Sequence, residues 1–190
     1  MKLTIACQSQ PASGELVNGD TIVVREHDGA HLIAIVDVLG HGHDAAQVAK
    51  LAARSLETAP MTRAAVALLG LHDALRGTRG AAAAICILRG DRLDGCGVGN
   101  VEVRVLGTPM AILLTPGIVG QRMHRLREFE GRLAPGDRVV WFSDGISSHV
   151  PLGELRSLAP GEACTMIMQR HRRRHDDASV VVADVVAEGT

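Results

Sequence analysis

The strongest guide to the architecture of this chain is the segment Ile33-Ala34-Ile35-Val36-Asp37-Val38-Leu39-Gly40-His41-Gly42. Its first half is continuously apolar, which is typical of a strand that is covered on both faces. Asp37 stands near the end of this strand, and the glycines that follow permit a sharp turn. The Asp37 carboxylate is therefore expected at the edge of a sheet, where it could meet other acidic groups around a hard cation.

The hydrophobic pattern on either side of this segment predicts the other elements. Upstream, short apolar runs predict strands over 3–7 and 21–25. Downstream, alanine and leucine recur at helical spacing, which predicts one helix from about residue 43 to before Pro60 and another over 62–76. The remaining chain is β-rich, with predicted strands over 81–89, 92–98, 101–106, 111–115, 122–130 and 138–142, then a helix over 161–174 and a strand over 178–186.

This order of elements indicates an α+β fold with mostly antiparallel sheets, because helices do not alternate regularly with strands as they do in a βαβ fold. With 190 residues and no linker or repeat, the chain is expected to form a single domain over 1–190. The segment Gly97-Val98-Gly99-Asn100 could cradle a phosphate, but it lacks a following helix. A tight hairpin between two strands is the favoured interpretation.

Composition argues against several partners. Trp141, Phe129 and Phe142 are the only aromatic residues, and the net charge is −1. Stacking platforms for single-stranded nucleic acid and a global attraction to DNA or membranes are therefore not expected. No run reaches the ~20 apolar residues of a membrane span, and the first residues resemble a strand more than a signal peptide. Four scattered cysteines without a CxxC pair fit a reducing, cytoplasmic location.

Three further aspartates occur in settings like that of Asp37. Asp20 follows a glycine, Asp144 follows an apolar run and precedes a glycine, and Asp176 precedes the last predicted strand. A single Asp beside Gly is usually a turn former, and Asp20 taken alone fits a β-turn. Four such residues in a small chain indicate a metal centre assembled from distant strands, to which the carbonyl oxygen of Val38 could contribute.

Two other features leave alternatives open. The run Arg170–His175 is best interpreted as a solvated helix terminus, where cations complement the dipole. A nucleic-acid patch and a surface that receives an acidic or phosphorylated partner are the other possibilities. His41 and His43 could suggest zinc, but an oxygen-rich site argues against it.

Taken in order, these residues resemble the PPM-type, metal-dependent serine/threonine phosphatases. The resemblance is to the compact bacterial SpoIIE-like branch, which includes stand-alone phosphatases of stress-signalling complexes. It covers nearly the whole chain and implies an α-β-β-α sandwich of two mostly antiparallel sheets flanked by helices. The matching motifs are Gly19-Asp20, Asp37-x-x-Gly40-x-Gly42, Gly97-Val98-Gly99-Asn100, Phe142-Ser143-Asp144-Gly145-Ile146 and Asp176-Asp177-Ala178-Ser179-Val180-Val181-Val182.

The resemblance also implies a centre of two divalent cations, Mn²⁺ or Mg²⁺. Asp37 would bridge both ions, and Asp37 and Asp144 would be the central catalytic acids. Asp20 and the carbonyl of Val38 would serve the second ion, while Asp144 and Asp176 would serve the first. Supporting roles would fall to Gly40, His41, Asn100, Gly145 and Asp177.

One departure from the family pattern concerns the general acid. Leu39 stands where eukaryotic relatives carry a histidine proposed for that role, so His41 could substitute for it. No arginine near the N-terminus matches the phosphate-binding arginine of the eukaryotic branch. Recognition is therefore expected to depend on a protein partner.

The implied activity is hydrolysis of phosphoserine or phosphothreonine by a metal-activated water. The implied substrate is a bacterial signalling protein of the stressosome or anti-sigma-antagonist type, with a STAS domain expected, and neither nucleic acid nor membrane is an expected partner. Two alternatives remain: a catalytically silent binding module of the same fold, and a metal-dependent hydrolase of small phosphoesters. Retention of Asp37, Asp144 and Asp176 favours catalysis.

Overall fold

The computed structural model describes residues 1–187. Nine strands are present in this part of the chain: β1 (Lys2–Gln10), β2 (Asp20–His27), β3 (Ala30–Val38), β4 (Ala81–Arg89), β5 (Arg92–Val98), β6 (Glu102–Leu106), β7 (Glu128–Arg132), β8 (Arg138–Phe142) and β9 (Ala178–Val186). The helices are α1 (His43–Glu57), α2 (Ala64–Ala74) and α3 (Pro160–His171), with a short 3₁₀ helix at Leu152–Leu155.

The strands form two sheets, each built from antiparallel neighbours. One sheet has the order β1-β9-β8-β6 and the other β2-β3-β4-β5-β7. Helices α1 and α2 pack on the outer face of the five-stranded sheet, and α3 packs on the outer face of the four-stranded sheet. The predicted α-β-β-α sandwich is confirmed.

Strand β3 shows why its apolar run has no polar interruption. Leu32, Ala34 and Val36 point toward α1 and α2, whereas Ile33 and Ile35 point into the space between the two sheets. All five side chains are fully buried. Because both faces of the strand are covered, every position before Asp37 favours an apolar residue.

Small side chains allow the outer layers to pack closely. Helix α1 presents Ala45, Ala49 and Ala52 to the sheet and ends its buried face with Leu56. Between the sheets lies the only tryptophan, Trp141, whose Nε1–H donates to the Sγ of Cys86 over 3.3 Å. The indole is fully buried, so this bond satisfies its one polar group.

The two strands predicted over 111–115 and 122–130 are wrong in their extent. Segment 111–115 makes only a single bridge, from Thr115 to Val98, because β7 occupies the edge of β5 that a further strand would need. Residues 122–127 fold back on 117–118, and regular pairing begins only at Glu128. The final helix ends at His171 rather than at residue 174.

The expected hairpin at residues 97–100 is also wrong. Strand β5 belongs to the five-stranded sheet and β6 to the four-stranded sheet, so this segment crosses between the layers. The crossing brings Asn100 to the edge where both sheets end near the acidic residues.

A buried ion pair lies at the opposite end of β8 from Asp144. The guanidinium of Arg138 donates to both carboxylate oxygens of Asp184 and to the carbonyl oxygens of Leu155 and Leu158. Arg138 is 5% exposed. Its hydrogen bonds therefore replace most of the solvation that the charge loses on burial. Over residues 1–187, the helices are all too short or too polar to cross a membrane.

Candidate active site

Strand register brings the four aspartates to one edge of the sandwich. Asp20, the first residue of β2, lies directly opposite Asp37 near the end of β3. In the four-stranded sheet, β8 and β9 are neighbours. Asp144 follows β8, and Asp176 precedes β9. A cleft of about 270 Å³ opens at this edge and is lined by Asp37, Leu39, Gly40, His41, Ala82, Gly99, Asn100, Gly117, Ile118, Asp144, His175 and Asp176.

Asp20 lies at the inner end of this acidic group and is 6% exposed. Its Oδ2 accepts a hydrogen bond of 2.7 Å from the Ser143 hydroxyl, and that hydroxyl accepts one of 2.9 Å from the backbone N–H of Ser179. Its Oδ1 is buried and has no hydrogen-bond partner among the described residues. A buried carboxylate oxygen without a partner is destabilising unless a cation or donor reaches it.

The electrostatics of the site are those of several carboxylates held close together. Burial raises the pKa of Asp37 to about 9, and the neighbouring carboxylates of Asp20, Asp144 and Asp176 add to this effect. Burial likewise raises the pKa of Asp20 to about 7, against the opposing effect of hydrogen bonds from Ser143 and Ser179. The pKa of Asp176 is raised, first by burial and then by Asp144.

The donor set suits divalent cations. Within residues 1–187, none of the four carboxylates forms an ion pair with lysine, arginine or histidine. The same residues contain no group of three or more His, Cys, Asp or Glu side chains that could hold a metal ion as they are placed. The fit therefore rests on the unpartnered Oδ1 of Asp20 and on the uncompensated negative charge of the cleft.

Val38, the predicted backbone ligand, directly follows Asp37 in the chain. It ends β3, and its side chain is buried among residues that pack against the helices. Its N–H donates to the carbonyl oxygen of Gly19 over 3.3 Å, in the turn that precedes Asp20. Gly40 follows with φ of +77°, a conformation that favours glycine and turns the chain away from the strand toward α1.

Asp176 and Asp177 have different surroundings. Asp176 lines the cleft. The carboxylate of Asp177 is 3% exposed and accepts hydrogen bonds of 2.8 Å from the backbone N–H groups of Ala12 and Gly19. Asp177 thus holds the loop that precedes Asp20, and its oxygens are occupied by that loop.

Asn100 and Gly145 both adjoin Asp144. The Asn100 side-chain amide donates to Asp144 Oδ2 over 2.5 Å, which orients the carboxylate. Gly145 packs so closely on the chain that a Cβ at this position would lie 1.9 Å from the carbonyl oxygen of Asp177. A side chain at residue 145 would therefore displace one of the two segments that carry acidic residues.

His41 lines the cleft and is oriented by a residue that the sequence did not single out. Its Nδ1 lies 2.9 Å from Oε1 of Glu15, in the loop held by Asp177. His43 does not line the cleft and lies 3.3 Å from the side-chain amide of Gln47. The two histidines are therefore not a shared zinc site.

Sequence reasoning also missed Ser143 and Arg79, and it noted Arg173 only as part of the basic run at residues 170–175. Arg79 donates to the carbonyl oxygen of Leu39, and Arg173 donates to that of Asp144, each over 3.0 Å. Both guanidinium groups therefore adjoin the rim of the cleft. The place of Arg79 depends on long-range packing, so no local pattern marks it, whereas Ser143 could have been noted as a small polar residue between a buried strand and an acid.

The basic run at residues 170–175 is only partly a solvated helix terminus. Arg172 donates to the Gln10 side chain and to the carbonyl oxygen of Pro11. The backbone N–H of Arg173 donates to the carbonyl oxygen of Gly145 over 2.7 Å. The run therefore joins the N-terminal loop to the segment that carries Asp144.

Comparison with solved structures relates this arrangement to known proteins. RsbX in complex with magnesium is 18% identical over 96% of this chain and 94% of its own, with a TM-score of 0.85. The serine/threonine phosphatase PstP/Ppp of Mycobacterium tuberculosis is 18% identical over 97% and 99%, with a TM-score of 0.77. At 18% identity, these two similarities show a shared fold. No family model and no curated protein matches the sequence.

A third solved chain is more similar. It was described with the bacterial stressosome, a modular system that has been adapted to control secondary messenger signaling. It is 34% identical over 96% of this chain and 100% of its own, with a TM-score of 0.88. The chain belongs to the PPM, or PP2C-type, phosphatase family. The family resemblance is thus confirmed, and the acidic cleft of this PPM protein is its candidate active site.

Proposed function

We propose that this PPM protein is a divalent-cation-dependent phosphatase that hydrolyses phosphoserine or phosphothreonine on a bacterial signalling protein. The observation that carries the proposal is a cleft lined by Asp37, Asp144 and Asp176, with Asp20 directly opposite Asp37 and its Oδ1 buried without a partner among the described residues. Such a site costs folding free energy and suits a function that requires bound cations.

We keep the ligand roles that the family resemblance implies. Asp37 would contact both cations, with Asp20 and the Val38 carbonyl at one and Asp144 and Asp176 at the other. Two bound Mn²⁺ or Mg²⁺ ions would supply Lewis-acid chemistry by lowering the pKa of a water molecule and offsetting the charge of the phosphoryl group.

Residues around the ligands would orient them and handle the proton. Ser143 holds the Asp20 carboxylate, and Asn100 holds that of Asp144, so neither has to be ordered during turnover. His41, fixed at Nδ1 by Glu15, would donate a proton from its other ring nitrogen to the departing seryl or threonyl oxygen.

The substrate class follows from similarity rather than from the cleft. A chain 34% identical to this one was described with the bacterial stressosome, and RsbX shares the fold. We infer a phosphorylated stressosome or anti-sigma-antagonist protein of the STAS type as substrate. The protein would act in the cytoplasm as a single domain spanning 1–190.

The test is phosphate release from a phosphorylated STAS-domain protein with and without Mn²⁺. We expect turnover that is lost on chelation and that falls at least a hundredfold in Asp37→Asn. Asp28→Asn, which changes an exposed turn residue, should behave as wild type. Turnover that survives chelation would contradict the cation-dependent mechanism. Turnover of p-nitrophenyl phosphate without turnover of any phosphoprotein would favour a small-phosphoester hydrolase, and no turnover of either would favour a silent binding module.

A further inference from the structure

A strip of positive charge lies beside the acidic cleft. We use the name basic groove for the shallow depression of about 540 Å³ lined by Thr115, Pro116, His124, Arg125, Leu126 and Arg127. Arg122 precedes this lining segment in the same stretch of chain. The stretch from 122 to 127 thus contains three arginines and one histidine, in a protein whose net charge is −1.

The basic groove and the acidic cleft share a wall. Gly117 and Ile118 line the cleft, and Thr115 and Pro116, immediately before them, line the groove. The cationic segment is held against this wall because Ile118 N–H donates to the carbonyl oxygen of Arg122 and Gly117 pairs with Met123. The groove and the cleft are therefore lined by consecutive residues of one segment, 115–118.

Backbone hydrogen bonds and the apolar side chains of Met123 and Leu126, which pack against the core beneath the helices, hold this segment in place. The N–H of Arg127 donates to the hydroxyl of Thr115 over 2.8 Å. The side chains of Arg122, His124, Arg125 and Arg127 are all exposed. Within residues 1–187, none of the four forms an ion pair or a side-chain hydrogen bond.

The arginines around β7 behave differently. Arg63 pairs with Glu128, and Arg132 pairs with Asp91. Arg92 lies 3.6 Å from Glu130. Carboxylates thus neutralise the arginines along β7, whereas the arginines beside the cleft remain free to bind an external anion.

We propose that the basic groove binds an acidic stretch of the same polypeptide that carries the phosphorylated residue. The inference rests on the proposed function, because it assumes that the phosphorylated residue enters the acidic cleft. Guanidinium groups bind carboxylates and phosphates through charge-assisted hydrogen bonds, and three arginines without ion-pair partners in six residues provide several such contacts. Asp or Glu residues within a few positions of the phosphorylated residue would reach them.

A polypeptide fits the groove better than a nucleic acid. No aromatic side chain lines the groove to stack on bases, and its cations are confined to one short segment. Its position directly beside the candidate active site instead relates it to recognition of the substrate chain. The groove therefore determines which phosphorylated sequences the enzyme accepts.

Direct binding provides the first test. Fluorescence anisotropy compares two synthetic phosphoserine peptides in EDTA, one with Asp and Glu flanking the phosphoserine and one with Asn and Gln at the same positions. The test variant is Arg122→Gln/Arg125→Gln/Arg127→Gln. The control variant is Lys2→Gln/Lys50→Gln/Arg54→Gln, which removes three exposed charges that form no ion pair and lie outside the groove.

The acidic peptide should bind the test variant about tenfold more weakly than the wild type, since three exposed ion pairs are lost. The neutral peptide should bind both proteins equally, and the control variant should resemble the wild type. An equal loss in test and control variants would overturn the proposal. So would equal binding of both peptides by the wild type, or tighter binding of oligouridylate through the same arginines.

Phosphate release from the same peptides with Mn²⁺ separates this inference from the proposed function. We expect kcat/KM for the acidic peptide to fall about tenfold in the test variant, mainly through KM. If turnover is normal and does not depend on the charge of the peptide, the groove does not bind the acidic stretch, but the proposed phosphatase activity stands. If binding depends on the charge of the peptide but no phosphate is released, the result supports peptide binding by the groove and contradicts the proposed phosphatase activity.

Discussion

Replacing Asp37 by Asn should change how the stability of the cation-free protein depends on pH. The pKa of Asp37 is about 9 in the folded protein because the group is buried among carboxylates, against an ordinary value of 3.8. Between these values the folded state keeps a proton that the unfolded state has released. The stabilising effect is therefore complete below about pH 4 and is lost as pH rises toward 9.

The magnitude follows from the proton difference. From pH 5.5 to 7.5, one extra bound proton in the folded state lowers the free energy of unfolding by about 1.4 kcal/mol per pH unit. Partial exposure of Asp37 reduces the expected total to about 2 kcal/mol. Asparagine has nearly the same shape and carries no charge, so Asp37→Asn should lack this loss. Asp20 contributes to the pH dependence of both proteins.

The assay is urea denaturation in EDTA at pH 5.5 and 7.5, with the slope m compared between proteins to verify that the same surface is exposed on unfolding. The exposed Asp28→Asn variant carries the same charge change and should keep the pH dependence of the wild type to within about 0.5 kcal/mol. If Asp37→Asn lost as much stability as the wild type over this range, Asp37 would not be the desolvated group that the structure indicates.

Three further results are expected. At pH 7.5, Mn²⁺ at a hundred times its Kd should raise the free energy of unfolding of the wild type by about 2.7 kcal/mol, seen as a higher Tm; an unchanged Tm would contradict a cation site. Asp177→Ala should cost about 2–4 kcal/mol and expose the Gly19 amide to hydrogen exchange, because it removes the acceptor of the Ala12 and Gly19 N–H groups; protection equal to wild type would argue against this role. Arg138→Met should cost about 2–4 kcal/mol by leaving Asp184 unpaired, and Arg138→Met/Asp184→Leu should recover much of the loss in urea titrations; a double variant as unstable as the single one would show that the ion pair itself stabilises the fold.

Local hydrophobic patterns predicted much of this fold, because a strand covered on both faces and a helix packed on a sheet have different spacings of apolar residues. The uninterrupted apolar run before Asp37 indicated a strand covered on both faces, and the alanine spacing of α1 indicated a helix packed closely on a sheet. The same reasoning failed for residues 111–115 and 122–127. Their composition allows a strand, but no free sheet edge remains beside β5 to pair with them.

Sequence order, the position at strand ends and the family resemblance together singled out the four aspartates, because a lone Asp beside a tight turn is usually only a turn former. The local sequence did not indicate which carboxylate is buried without a partner or which one holds a loop. Asp20 and Asp177 differ through contacts with Ser143, Ala12 and Gly19, whose positions in the chain are distant.

The amino-acid sequence determined the layered α+β architecture and the acidic residues at the strand ends, since both follow from short-range hydrophobic periodicity and turn chemistry. The packing of the two sheets decided how those residues act together. This packing raised the pKa of Asp37 and brought the Glu15 carboxylate within hydrogen-bonding distance of His41. It also placed a segment of arginines without ion-pair partners beside the cleft. Burial, electrostatic coupling and surface continuity depend on distances between residues far apart in the chain, and those distances exist only in the folded protein.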